Sequence, residues 1–221
     1  CIKAIKAGFT HVKFKVGRDL QDDIRRLKIA REVLGNQVQL MIDANQVWEV
    51  NQAIEWVNKL QFASPFFIEE PTSPDDIIGH KTIKNGVFPI KVATGEMCQN
   101  RIIFKQFIKE DAIDIIQIDS CRMGGLNEVL AVMIMAEKYK KPVWPHAGGV
   151  GLCEYVQHIS MIDYLLISCE KNSKRIEYVD HLHEHFLNPC KIVNGNYTAP
   201  FDPGFSIEMK SSTLNDFLFK S

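Results

Sequence analysis

Short apolar runs rich in β-branched residues alternate along this chain with longer stretches whose apolar positions recur every three or four residues. The short runs predict strands at His11–Val16, Val38–Ala44, Phe66–Glu70, Ile90–Thr94, Ile115–Asp119, Pro142–His146 and Tyr164–Cys169. Helices are expected at Leu20–Leu34, Val50–Leu60, Asp75–Lys84, Arg101–Lys109, Leu126–Tyr139 and Leu152–Met161. Such alternation describes repeated β/α units and therefore an α/β fold around a parallel sheet. The run Ile115-Ile116-Gln117-Ile118 is apolar on both faces, as a strand covered on both sides should be.

That pattern alone admits either a doubly wound sheet or a barrel. What favours the barrel is the polar residue that ends strand after strand: Lys15, Asp43, Glu69, Glu96, Asp119 and His146, spaced 23 to 28 residues apart. A β/α barrel turns such spacing into convergence, because all its strand ends open on one face and active sites sit there. The rest of the chain, from Glu170 to Ser221, carries Asn-Gly, Pro and Gly turns and is expected to wrap the barrel. The whole chain, 1–221, then reads as one catalytic barrel domain, with its strands within about 11–170 and the wrapping tail at about 171–221.

Composition narrows the classes of function. The chain has 46% hydrophobic residues and a net charge of −1 with both signs interspersed, so it has a sizeable core and no basic field for nucleic acid or anionic lipid. No apolar run approaches the ~20 residues of a membrane span. The six cysteines form no CxxC pair and no framework spacing, which suits reduced thiols in a soluble intracellular protein. The chain starts at Cys1, with Ile2–Gly8 reading as the end of a helix, so an N-terminally incomplete chain is expected.

Asp43, Glu69 and Glu96 at successive strand ends would crowd anionic oxygens around one point, which a hard divalent cation relieves. Oxygen-only ligands favour Mg²⁺ or Mn²⁺ over zinc. Taken singly, each acid could equally cap a helix or form a surface ion pair. Lys13 and Lys15 are two apart on a strand and share a face, and two neighbouring cations are expected to depress each other's pKa, making a usable base. The bland reading of such a pair is a solvent-facing strand edge. Asp119 beside His146 would fix the imidazole tautomer and raise its pKa, although a histidine after a strand often has only a structural role. The run Asp180-His181-Leu182-His183-Glu184-His185 resembles a metal site, but in a helix histidines two apart face different directions and chelation would need a strand or a special loop, so no metal site is expected there. The glycines of Gly124-Gly125 and Gly148-Gly149 could cradle an anion or simply turn the chain.

Lys13-Phe14-Lys15, Asp43-Ala44-Asn45-Gln46, Ile68-Glu69-Glu70-Pro71, Thr94-Gly95-Glu96, Asp119 followed by Arg122-Met123-Gly124-Gly125, and Trp144-Pro145-His146 resemble the enolase superfamily, and within it the mandelate racemase subgroup. That superfamily pairs a Lys or His base with Mg²⁺ ions that stabilise an ene-diolate. The tail Arg175-Ile176-Glu177-Tyr178-Val179-Asp180-His181-Leu182-His183 and Pro200-Phe201-Asp202-Pro203-Gly204 look most like the subgroup's L-fuconate dehydratases. The resemblance implies a (β/α)7β barrel lacking, in this chain, the capping domain and first strand. It implies Mg²⁺ on Asp43, Glu69 and Glu96, Lys15 as base, and Lys13 neutralising the substrate carboxylate and tuning Lys15. It also implies His146, oriented by Asp119, as acid, Asn45 and Glu177 on the substrate with Glu177 hydrogen-bonding the enediolate, and Glu170 as the competing candidate for the last strand. The implied reaction is dehydration of L-fuconate or a similar sugar acid to a 2-keto-3-deoxy acid, in a possible homo-oligomer and a mitochondrial setting. A racemase of the same subgroup, or a silent form with a binding or regulatory role, are the alternatives.

Overall fold

The computed structural model describes residues 1–219. A short helix α1 (Ile2–Lys6) leads into β1 (His11–Lys15), and the chain then alternates through α2 (Leu20–Leu34), β2 (Gln39–Asp43), α3 (Val50–Leu60), β3 (Phe67–Glu69) and α4 (Ile77–Gly86). It continues with β4 (Lys91–Thr94), α5 (Arg101–Lys109), β5 (Ile115–Ile116), α6 (Leu126–Lys138) and α7 (Leu152–Ile162). The five strands form one parallel sheet in chain order. Helix starts are set by side chains that accept from otherwise unpaired N–H groups: Asp19 from Asp22, Asp76 from Gly79, and Asn100 from Ile102 and Ile103.

Beyond β5 the curve continues without long ladders. Val143 bridges Ile116 in parallel, Trp144 N donates to Ile116 O at 2.9 Å, and His146 N donates to Ile118 O at 3.0 Å, so residues 142–146 take the sixth place as predicted. The seventh predicted strand, Tyr164–Cys169, is a correction: Asp163–Ile167 is a π-helical turn continuing α7. A short apolar run such as Tyr-Leu-Leu-Ile carries no period that separates strand from helix end, and here Leu165 and Leu166 stay exposed. Residues 175–178 fill that place instead, with Glu177 N donating to Pro145 O at 3.4 Å. From there Arg175 reaches His11 and Glu177 reaches Lys13, both on β1, so side chains bring the roll back to its start.

Period-2 alternation sorts the strand residues into two cores. One set packs outward against the helices, where Leu27, Val57, Ile83, Phe104, Phe107 and Val132 are buried. The other faces inward, where Met41, Phe67, Ala93, Ile115 and Trp144 make a separate cluster with Phe66 against it. This inner layer is the floor of the barrel, and truncating Phe67, which is 2% exposed, to alanine would cost about 3–5 kcal/mol. Two residues further along the same strands come Asp43, Glu69, Gln117 and His146, placed on that floor by the alternation itself.

The tail adds a two-stranded hairpin, β6 (Ile192–Val193) and β7 (Asn196–Tyr197), and α8 (Ser211–Asp216). The Asn194-Gly195 turn packs so closely on Gly8 that a Cβ there would lie 2.6 Å from the Asn194 backbone. All six cysteines are free thiols. Among the described residues no helix is long and apolar enough to cross a membrane.

Candidate active site

Asp43 and Glu69 end the adjacent strands β2 and β3 and are completely buried. Lys13, on β1, lies 3.2 Å from Asp43, forms an ion pair and hydrogen bond with Glu69, and lies 2.9 Å from Glu177. Lys15 donates to Asp43 at 2.5 Å. The two lysines therefore share a face as expected, but their surroundings differ: the Lys13 side chain is 18% exposed and that of Lys15 63%. The expected mutual pKa depression does not hold for Lys13. Burial works against its charge, yet the facing Glu69, Glu177 and Asp43 outweigh that and push its pKa up.

The carboxylates divide in the same way. Burial raises Asp43, but Lys13 and Lys15 pull it below the usual carboxylate range. For Glu69, burial dominates, with Asp43 and Glu177 adding repulsion, and the pKa is pushed up to about 8. Glu70 is also fully buried and is raised to about 7 by burial and the nearby Glu96 and Asp43. Its Oε1 accepts from Gln46 at 2.8 Å while its Oε2 is buried without a partner. Glu96 enters from the turn after β4, where Gly95 passes so close to Gln117 that a Cβ would lie 2.7 Å from its carbonyl.

On the opposite side, His146 Nδ1 donates to Asp119 Oδ2 at 2.8 Å, and Asp119 Oδ1 accepts from the N–H groups of Cys121 and Arg122. His146 Nε2 lies 3.4 Å from Glu96 and 3.8 Å from Glu177. Burial disfavours the imidazolium, but Asp119, Glu177 and Glu96 prevail and raise the pKa to about 9. Gly148 is needed for close approach, since a Cβ there would fall 2.6 Å from His146 Nε2. Glu177, lowered by Lys13 and His146 against the effect of burial, accepts from Ala147 N at 2.6 Å. Glu170 is elsewhere, capping the Asn172–Ser173 turn. Asn45 stands exposed at the rim, with its N–H on Asp43 Oδ1 at 2.9 Å.

The oxygens of Asp43, Glu69 and Glu96 are not all within 4.8 Å of one another, because Asp43 and Glu69 turn to the lysines and Glu96 toward His146. The donor set nevertheless suits a hard divalent cation: all-oxygen ligands, two of them buried, with repulsion that already raises Glu69 and Glu70. Two residues of the site escaped the sequence reading. Gln117 Nε2 donates to Glu69 Oε2 at 2.6 Å with its Oε1 buried and unpaired, and Glu70 faces Glu96. The signal for Gln117 was present, since it shares alternation with Asp119; Glu70 gave none, because its positive φ of 43° turns it out of the strand pattern.

Fold and site together define an α/β barrel domain whose mouth combines buried carboxylates, a lysine pair and an aspartate-held histidine. The chain belongs to the enolase C-terminal domain-like family, whose profile matches residues 1–213. It is 53% identical over 216 residues to human mitochondrial enolase superfamily member 1, covering 97% of this chain and 49% of that protein. The crystal structure of that human protein superimposes with a TM-score of 0.94 over 96% of this chain and 49% of its own. L-galactonate dehydratase of Hypocrea jecorina is 54% identical over 219 residues, covering 97% of this chain and 48% of the relative. The L-talarate dehydratase from Polaromonas sp. JS666, complexed with Mg and L-glucarate, has a TM-score of 0.83 at 26% identity, over 97% of this chain and 57% of its own. The chain thus spans about half the length of these curated relatives.

Proposed function

We propose that this domain carries the machinery of a Mg²⁺-dependent acid-sugar dehydratase acting on L-fuconate or a similar sugar acid. The observation that carries the reading is the placement of an accessible lysine and a charged histidine on opposite sides of one group of buried carboxylates. Asp43, Glu69 and Glu96 would hold the Mg²⁺, which when bound stabilises negative charge developing on the substrate carboxylate.

Lys15 Nζ, at the open end of the lysine pair, takes the proton α to the carboxylate. Lys13 stays an ammonium and offsets the substrate's charge rather than acting as a base. His146, charged at neutral pH and held through Nδ1 by Asp119, presents Nε2 to give its proton to the departing β-hydroxyl. Water and a 2-keto-3-deoxy acid are the products. Glu177, ionised and therefore only an acceptor, suits a substrate hydroxyl better than an anionic enediolate oxygen. Asn45 at the rim supplies a further polar contact to the sugar chain. The names of the Hypocrea and Polaromonas relatives, both acid-sugar dehydratases, support the substrate class; that of the human relative supports a mitochondrial setting.

The test is proton NMR of L-fuconate and other acid sugars in D₂O with Mg²⁺ and this chain. The expected result is metal-dependent α-deuterium uptake together with 2-keto-3-deoxy product. Epimerised substrate without elimination would replace the dehydratase by a racemase. Neither signal, from a chain shown to bind Mg²⁺, would overturn the catalytic reading of this domain and favour a binding role.

A further inference from the structure

A second group of ligand-type side chains lies outside the barrel mouth, where the tail crosses α7. Glu154, in the first turn of α7, is 1% exposed, a position where a carboxylate needs a positive partner. His183 Nδ1 is 2.6 Å from Glu154 Oε1, and Cys190 Sγ is 3.8 Å from the same nitrogen. The three ligand atoms all lie within 4.8 Å of one another. Of the run Asp180 to His185, only His183 takes part: His181 is exposed and His185 bonds Thr213.

The ring of His183 is oriented as a metal ligand's usually is. Its Nε2 donates to Val179 O at 2.9 Å, and Tyr178 stacks on it with centroids 5.4 Å apart and planes 5° from parallel. A backbone carbonyl on one ring nitrogen fixes the tautomer and turns the other nitrogen's lone pair toward the site. With an ion in place of the proton that Nδ1 now shares with Glu154, that nitrogen, a carboxylate oxygen and a sulfur are the three ligand atoms within reach.

We propose that Glu154, His183 and Cys190 form a binding site for a divalent ion of the zinc type, which staples the tail to the barrel. Mixed O, N and S ligands select zinc over magnesium. Zinc bond lengths at the tetrahedral angle put a nitrogen and a sulfur ligand about 3.5 Å apart, close to the separation found here. The Glu154 oxygen would retreat by about 0.7 Å as the ion replaces a shared proton. Cys153, burial and Glu154 hold the Cys190 thiol well above the usual range, so it stays protonated until an arriving metal takes the proton's place. The staple acts close to the barrel mouth, because Val179 follows Glu177 by two residues and Tyr197 OH donates to Glu177 O at 2.6 Å.

Cobalt(II), a spectroscopic substitute for zinc, tests this on the whole chain in reducing buffer with saturating Mg²⁺, which keeps the hard oxygen sites occupied and the result independent of the proposed activity. The expected result is one equivalent bound with tetrahedral visible bands and a thiolate charge-transfer band, displaced by zinc and lost in Cys190→Ser and His183→Gln. Zinc should also raise the Tm of the parent chain, reversibly with a chelator, which checks the site without any variant. No thiolate band in the parent chain, or one unchanged in Cys190→Ser, overturns the proposal and leaves a His183–Glu154 ion pair.

Discussion

Lys13 and Glu177 pair at 2.9 Å across the seam where the first strand of the roll meets its last segment. The same ammonium also contacts Glu69 and Asp43, so one cation faces three carboxyl groups. Removing it leaves the fully buried Asp43 and Glu69 without this partner. Lys13→Met should therefore lower stability by about 3–5 kcal/mol in urea unfolding, whereas Lys15→Ala, at an exposed position, should change it by less than about 1 kcal/mol. Equal losses for both would contradict the division of roles between the lysines.

Lys15→Ala should abolish α-deuterium exchange while leaving Mg²⁺ binding intact, because Asp43 keeps its second partner in Lys13. A loss of about 10²–10⁴ in exchange rate is the usual weight of a positioned base. Exchange at the parent rate would move the base elsewhere.

Asp119→Asn should separate the two halves of the reaction. The neutral amide removes one of the three carboxylates that favour the imidazolium, so the histidine pKa should fall from about 9, which NMR titration of the ring protons reads directly. Dehydration should drop about 10²-fold or more while α-proton exchange persists. Loss of both together would show that Asp119 supports the fold rather than the acid.

Much of this arrangement was legible in the chain because two periods are hard to counterfeit. Helices α2 and α5 begin and end where the 3.6-residue pattern predicts, and the strand ends carrying Lys15, Asp43 and Glu69 follow from alternation. What escaped were features set by tertiary contact. Arg175–Tyr178 offers an alternating, partly charged run, and only its contacts with Pro145, His11 and Lys13 give it the place assigned to Tyr164–Cys169. The raised pKa of Lys13 escaped for the same reason: a local reading sees the neighbouring cation at Lys15, but the three carboxylates that decide the matter come from other elements.

Glu69→Gln should abolish Mg²⁺ binding in calorimetry. The substitution preserves volume and the contact with Gln117, so the folded chain should persist with one anionic ligand fewer. An unchanged titration would remove Glu69 from the metal set and leave it as a structural partner of Lys13.

Acid stability should depend on His80, which lies outside the site. The ring is completely buried, its Nδ1 pairs with Asp76 O at 2.8 Å, Nε2 has no partner, and Phe107 packs on it edge to face. Burial, opposed weakly by Asp76, lowers its pKa below the ordinary value of 6.5. The unfolded chain therefore binds a proton that the folded chain refuses, and the linkage relation makes stability rise with pH over that interval. The contribution is fully present above about pH 6.5 and is lost progressively as pH falls below it. Urea unfolding of the parent chain and His80→Gln across that range should show a flatter acid slope in the variant. A slope that survives the substitution would assign acid sensitivity to other groups and leave His80 as a packing residue alone.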